Sequence, residues 1–108
     1  MSPSTEPHFV TLPEVVVPII DGERISGRLL FDIVIDAVDA SAATRLALAM
    51  PRLRSASISA GIEFSRLQVS GLTAVDAELL SRELTVALRH ENPDIARVLI
   101  VRVGAAAG

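Results

Sequence analysis

The chain contains no cysteine, no tryptophan and no tyrosine, and its aromatic side chains are three phenylalanines. Without cysteine there is no disulfide framework, iron–sulfur cluster or thiolate zinc site. The two histidines, His8 and His90, lie near opposite ends of the 108 residues, a spacing that does not indicate a histidine metal cluster. Three phenylalanines provide no aromatic platform on which single-stranded bases stack. We therefore expect no cofactor and no bound metal.

Lysine is also absent, so all ten basic residues are arginines, and 13 acidic residues give a net charge of −3. Because the arginines are scattered and the balance is acidic, we expect no nucleic-acid partner. Residues 1–8 are polar and proline-rich, which is unlike a secretory signal. Every apolar run is far shorter than the roughly 20 residues of a membrane helix.

Length and patterning predict a single domain. The 108 residues, half of them hydrophobic, suffice for one core. We assign this domain to residues 9–103 and expect flexible tails at 1–8 and 104–108.

The first half of the domain predicts a hairpin. Residues 9–20 are rich in β-branched side chains but contain Pro13 and Pro18, so they predict an edge strand or two short pieces. Asp21-Gly22 indicates a type I′ turn. In residues 24–36 most odd positions are apolar and most even positions are polar, which predicts a strand with one buried face.

Three helices and one strand are expected after the hairpin. Asp39 or Ser41 caps a first helix, and residues 51–67 form an amphipathic second helix. Gly61 would cost that helix about 1 kcal/mol relative to alanine, which indicates a close packing contact. A Thr73-to-Asp76 capping box begins a helix over 74–90, and residues 95–103 form the last strand. The order β-β-α-α-α-β predicts an α+β fold, a small antiparallel sheet with helices packed on one face.

Catalytic motifs are missing from the sequence. It contains no G-x-G-x-x-G, no G-x-x-x-x-G-K-[ST] and no G-x-S-x-G. Asp32 and Asp36 share one strand face with Arg24 and Arg28, a set that suits either acid–base chemistry or cross-strand ion pairs on a solvated sheet. We expect that the protein is not an enzyme.

The same strand supplies a candidate interface. Leu30 and Val34 alternate with charged residues, a mixture typical of subunit contacts, although partial cover by the helix at 51–67 would also explain it. Arg52 and Arg54 place two positive charges at the start of that helix, where the helix dipole favours negative charge. They indicate a partner, either an acidic groove or another subunit, or else salt bridges to Asp36, Asp39 or Glu63. The candidate interface residues are Arg24, Arg28, Leu30, Asp32, Val34, Arg52 and Arg54.

Several short strings resemble the FliL family of flagellar basal-body-associated proteins. They are Leu12-Pro13-Glu14-Val15-Val16-Val17, the acidic stretch near Asp36 and Asp39, Met50-Pro51-Arg52-Leu53-Arg54-Ser55, and Val98-Leu99-Ile100-Val101. The resemblance spans roughly residues 12–103, but each motif is short. It departs from the family where a Gln-containing segment is usual at the end of the last strand and Arg102-Val103-Gly104 stands here.

The resemblance implies a stomatin-like periplasmic domain without catalysis, which forms oligomers or rings and associates with flagellar stator units. Family members usually carry an N-terminal membrane anchor, which these residues do not contain. Membrane association would therefore need an anchor outside this chain. We expect a periplasmic location for an excised FliL-like domain. The alternative is a cytoplasmic adaptor or ligand-binding domain unrelated to motility.

Overall fold

The sheet is built on the expected hairpin and is completed by the last strand of the chain. The computed structural model describes residues 8–68 and 75–107. The elements are β1 (Phe9–Asp21), β2 (Arg24–Ala37), α1 (Ala40–Leu48), α2 (Met50–Gln68), α3 (Ala77–Glu91) and β3 (Ile95–Ala107).

Strand β2 lies at the centre of the sheet. It pairs antiparallel with β1 on one side and with β3 on the other, giving the order β1-β2-β3. The helices pack on one face, where the odd-numbered side chains of β2 from Leu29 to Ala37 are buried. They lie there together with Leu53 and Phe64 of α2 and Leu80, Leu84 and Leu88 of α3. The fold is therefore α+β, and the prediction of a small antiparallel sheet with helices on one face is confirmed.

The hairpin turn differs from the expectation by one residue. Asp21 pairs with Arg24, so the two central residues of the turn are Gly22 and Glu23. Gly22 has φ +67°, and no non-glycine residue of the described ranges has a positive φ. A positive φ at the first central residue alone is the type II′ pattern, so the type I′ prediction was wrong.

The packing contact expected at Gly61 is confirmed. A Cβ added at Gly61 would lie 3.1 Å from Cε2 of Phe31 and 3.3 Å from Cγ1 of Val17. Helix α2 therefore approaches the sheet at this point more closely than a larger side chain allows. The buried line of α2 runs through Leu53, Ser57, Gly61 and Phe64.

The helix caps confirm one prediction and change another. Asp39 caps α1 by accepting a hydrogen bond from the N–H of Ala42 at 2.7 Å. Asp76, expected within the capping box, is itself the N-cap of α3 and accepts from the N–H of Leu79 at 3.0 Å. The expected cap, Thr73, lies outside the described residues.

The last strand is longer than expected. We placed its end at Val103 and a flexible tail at 104–108, but β3 continues to Ala107. Gly104 pairs with Leu30, and the following alanines pair with Leu29, Arg28 and Gly27. Residues 104–107 therefore belong to the sheet, because the long central strand offers them a pairing partner. Residue 108 and the first seven residues of the expected N-terminal tail lie outside the described ranges.

Both edges of the sheet receive side-chain hydrogen bonds from the helices. On β1, Arg54 donates to the carbonyl of Glu14 at 3.1 Å and Ser65 donates to the carbonyl of Pro18 at 3.3 Å. On β3, the Val98 carbonyl accepts from Ser81 at 2.7 Å and its N–H donates to Thr85 at 3.0 Å. Pro13 and Pro18 have no N–H to offer, so β1 is the more completely blocked edge.

Candidate interaction surface

The face of the sheet opposite the helices carries the strand residues of the candidate interface. We call it the open face and define it by its rows across β1, β2 and β3. Four rows follow the strand register: Phe9–Asp36–Arg97, Thr11–Val34–Leu99, Val16–Leu30–Gly104 and Pro18–Arg28–Ala106. In the fifth row, Glu14–Asp32–Arg102, Asp32 pairs with Arg102, and Glu14, within the irregularity of β1, bonds to both of them. The helix α2 packs on the other face, against Phe31 and Val17, so it is not the cover of Leu30 and Val34 that we considered.

The Asp32 row holds the densest set of charges on the open face. Arg102 is 2.9 Å from a carboxylate oxygen of Asp32 and 3.2 Å from one of Glu14. The second oxygen of Asp32 accepts a 2.7 Å hydrogen bond from the backbone N–H of Glu14. Irregularities in pairing at Leu12/Val15 on β1 and next to Arg102 on β3 bring these groups into line. With two carboxylates and one guanidinium, the row has a formal charge of −1.

The Asp36 row is a separate ion pair. Arg97 lies 3.2 Å from a carboxylate oxygen of Asp36. Asp32 and Asp36 stand four residues apart on one strand, about 13 Å along the sheet, and each is held by its own arginine. The two carboxylates do not converge, so the geometry favours cross-strand ion pairs over a shared acid–base site.

Apolar rows lie between and beside the charged rows. Val16 is 41% exposed, and Leu30 beside it is partly buried by its neighbours on both strands. Val34 and Leu99 form the second apolar pair. The open face thus alternates apolar and charged rows, which is the composition of a subunit contact rather than of a purely solvated surface.

Arg28 has no counter-ion among the described residues. It is exposed and forms no hydrogen bond or ion pair with the part of the chain that the structure describes. Arg24 lies farther along β2, next to the turn, beyond an irregularity between the Ile19 and Ile20 pairs. The structure therefore places Arg28, Leu30, Asp32 and Val34 together, with Arg24 at the end of the hairpin.

Arg52 and Arg54 belong to the helical layer instead. Arg54 donates to the carbonyl of Glu14 and so ties α2 to the edge of β1. Arg52 is exposed in the first turn of α2. The three carboxylates expected as salt-bridge partners of Arg52 and Arg54 have other partners. Asp36 pairs with Arg97, Glu63 pairs with Arg66, and Asp39 caps α1.

Three charged residues on the outer strands of the open face were not among the candidates: Glu14, Arg97 and Arg102. They lie on β1 and β3, so only the register of the sheet brings them next to Asp32 and Asp36. The charge of Arg97 and Arg102 within an otherwise apolar last strand was the signal in the sequence. In a regular strand two residues five positions apart point to opposite faces, so the pairing irregularity between Ile100 and Arg102 is what places both arginines on the open face.

A second surface feature lies between α2 and α3. It is an open groove of about 560 Å³ lined by small residues of α2, including Ser55 and Ser59, and by Val86, His90 and Glu91 of α3. Within residues 8–68 and 75–107, no three His, Asp or Glu side chains are grouped as metal ligands.

Within the described ranges, one ion pair shifts the pKa values of both of its partners, and it lies away from both surfaces. Arg45 of α1 makes two hydrogen bonds to Asp94, at 2.8 and 2.9 Å. The hydrogen bond from Arg45 holds the pKa of Asp94 below its ordinary value, and the pKa of Arg45 is raised in return. This pair fastens α1 to the turn between α3 and β3.

Comparison with protein-family models, with curated proteins and with solved structures finds no match to this chain. None of the helices described is both long and apolar enough to cross a membrane.

Proposed function

We propose that this chain is a non-catalytic assembly module that acts through its open face. As in the FliL family that it resembles, it associates with copies of itself and with stator units of a flagellar motor. This proposal includes the stomatin-like character of the fold and a periplasmic location.

The observation that carries the proposal is the composition of the open face. Helices cover one side of the sheet, whereas the other side presents Val16 and Leu30 between the charged Asp32 row and the exposed Arg28. An apolar centre with a charged rim supports a contact that forms and dissociates, because the rim stays favourable in water when the contact is open.

The resemblance is the sole support for the flagellar part of the proposal. All four of its strings lie in elements of the sheet and helices or at the cap of α1. Leu12–Val17 lies in β1 and includes two residues of the open face, and Met50–Ser55 forms the start of α2.

The groove between α2 and α3 favours a second candidate, a cytoplasmic adaptor or a ligand-binding domain unrelated to motility. Its volume of about 560 Å³ fits a small molecule, and Val86 offers it an apolar wall. Ligand binding that is abolished by Val86→Glu and unaffected by Leu30→Glu would favour this candidate.

Sedimentation velocity across micromolar to millimolar concentration tests the assembly proposal. We expect the wild-type protein to sediment as concentration-dependent oligomers and Leu30→Glu to remain monomeric. Leu48→Glu is the matched control, because Leu48 is 82% exposed on α1, away from the open face. Circular dichroism confirms that each variant is folded.

The same variants test the motor partner. We expect wild-type protein and Leu48→Glu to co-sediment with purified stator complexes, and Leu30→Glu to stay in the supernatant. If the wild-type protein neither self-associates nor binds stator complexes, the proposal is wrong.

A further inference from the structure

We propose that two copies of the chain stack their open faces about a two-fold axis that runs along the Leu30 row. In this dimer Arg28 of each copy lies opposite the partner's Asp32. The inference rests on the proposed function and specifies the geometry of its self-association.

The charge distribution of the open face is the first argument. The Glu14–Asp32–Arg102 row carries −1, and Arg28 carries +1 without a counter-ion among the described residues. The remaining ion pair, Asp36 with Arg97, is neutral. The face therefore has one excess negative and one excess positive charge, on opposite sides of the Leu30 row.

The spacing of these charges makes the face complementary to itself. Arg28 and Asp32 are each two residues from Leu30, about 6.6 Å along the strand in opposite directions. A half-turn about an axis along the Leu30 row reverses the strand direction and brings Arg28 over the partner's Asp32. Sheets pack about 10 Å apart, a gap that an extended arginine and a carboxylate bridge together.

The other two-fold arrangement of the same faces is unfavourable. An axis parallel to the strands places each row opposite the same row of the second chain. Arg28 would then face Arg28, and the row with charge −1 would face the same row of the second chain. Like charges placed opposite each other destabilise a contact. The charges of the open face thus select the axis along the row.

The row on the axis suits close approach of two sheets. It consists of Val16, Leu30 and Gly104, and a Cβ added at Gly104 would meet no atom within 4 Å. The residues on the axis are therefore apolar or small, as the buried centre of an interface requires.

The size of the face sets the expected strength. Three strands and five rows cover a projected area of about 400 Å² per copy, below the roughly 800 Å² per partner of a standard interface. We expect a dimer with a dissociation constant in the micromolar range or weaker. An isologous contact closes at two copies, so a ring would need a second, heterologous surface.

Sedimentation velocity on three charge variants tests the axis. We expect Arg28→Glu to raise the dimer dissociation constant at least tenfold, because the introduced carboxylate would face a negative row. Arg52→Glu makes the same charge change in the helical layer and should alter it less than twofold. Adding Glu14→Arg to Arg28→Glu changes the charge of the facing row from −1 to +1. The double variant should recover at least half of the change in the logarithm of the dissociation constant that Arg28→Glu causes.

A fourth variant probes the axis itself. A Cβ added at Gly104 meets no atom within 4 Å, and Gly104→Glu places two carboxylates against each other across the two-fold axis. We expect it to abolish dimerisation, whereas Gly104→Ala changes the dissociation constant less than threefold.

The outcomes separate this inference from the proposed function. If the protein associates but Arg28→Glu behaves as Arg52→Glu does, or Glu14→Arg fails to restore affinity, the axis is wrong and assembly through another geometry stands. If the wild-type protein is monomeric at every concentration, both the axis and the self-association part of the proposed function are wrong.

Discussion

Replacing Gly61 with alanine tests whether the contact between α2 and the sheet is as tight as the structure shows. A glycine inside a helix is normally a site where alanine stabilises, by about 1 kcal/mol. Here the new Cβ would lie 3.1 and 3.2 Å from ring carbons of Phe31 and 3.3 Å from a methyl group of Val17. These distances are shorter than ordinary van der Waals contact, so one of the partners has to move.

Neither partner has room to move. Phe31 and Val17 are 1% and 0% exposed, and α2 is held against β1 on both sides of Gly61, by Arg54 bonded to Glu14 and by Ser65 bonded to Pro18. Overpacking of a filled core costs about 1–3 kcal/mol. The higher helix propensity of alanine offsets about 1 kcal/mol of this cost. We therefore expect Gly61→Ala to lower the free energy of unfolding by about 1 kcal/mol.

Urea denaturation followed by circular dichroism measures this change. With a slope of about 1–2 kcal/mol per molar urea, the midpoint should fall by roughly 0.5–1 M. Gly104→Ala is the matched control, since its Cβ meets nothing within 4 Å and the midpoint should stay the same or rise. A Gly61→Ala protein as stable as the wild type, or more stable, would refute the reasoning.

Three further substitutions test other contacts. Asp39→Ala removes the cap of α1 and should lower the free energy of unfolding by about 1 kcal/mol in urea melts. Thr85→Val leaves the N–H of Val98 unpaired and should cost about 1–3 kcal/mol by the same assay, while Thr44→Val, whose hydroxyl is exposed, should cost little. Asp94→Asn should lower the melting temperature at pH 7, because the pKa of Asp94 is lowered by Arg45 and the paired carboxylate stabilises the fold above the ordinary carboxyl pKa. That difference should shrink as the pH falls below about 4 and through the lowered pKa, and a difference independent of pH would contradict the ion pair.

The elements that were predicted correctly are those whose signal lies within one segment. The alternation of apolar and polar residues predicted β2, and the prolines of β1 indicated an edge strand. A glycine within the amphipathic pattern of α2 indicated its close contact with the sheet. Asp39 was recognised as a cap because it directly precedes the change from period two to helical period.

The features that were missed depend on partners distant in the sequence. Residues 104–107 contain only glycine and alanine, which carry no strand signal, and they become strand because β2 extends beside them. The ion pairs of Arg102 with Asp32 and Glu14 need irregular pairing in both outer strands, which hydrophobic periodicity does not reveal. Arg52 and Arg54 were grouped with the strand residues because the sequence does not show on which face of the sheet a helix packs. They belong to the helical layer, opposite the open face.

The unequal edges of the sheet determine how far strand-to-strand polymerisation could proceed. A fibre needs two free edges on every sheet, so that each added copy leaves one edge for the next. Prolines and bonds from α2 block β1, whereas on β3 the bonds from α3 end at Val98 and leave the stretch from Val101 to Ala107 without side-chain bonds from the described helices. Edge pairing is therefore most accessible between two β3 strands, and such pairing stops at one continuous sheet of two copies. The blocked edge thus makes continuous fibre growth less favourable at high protein concentration.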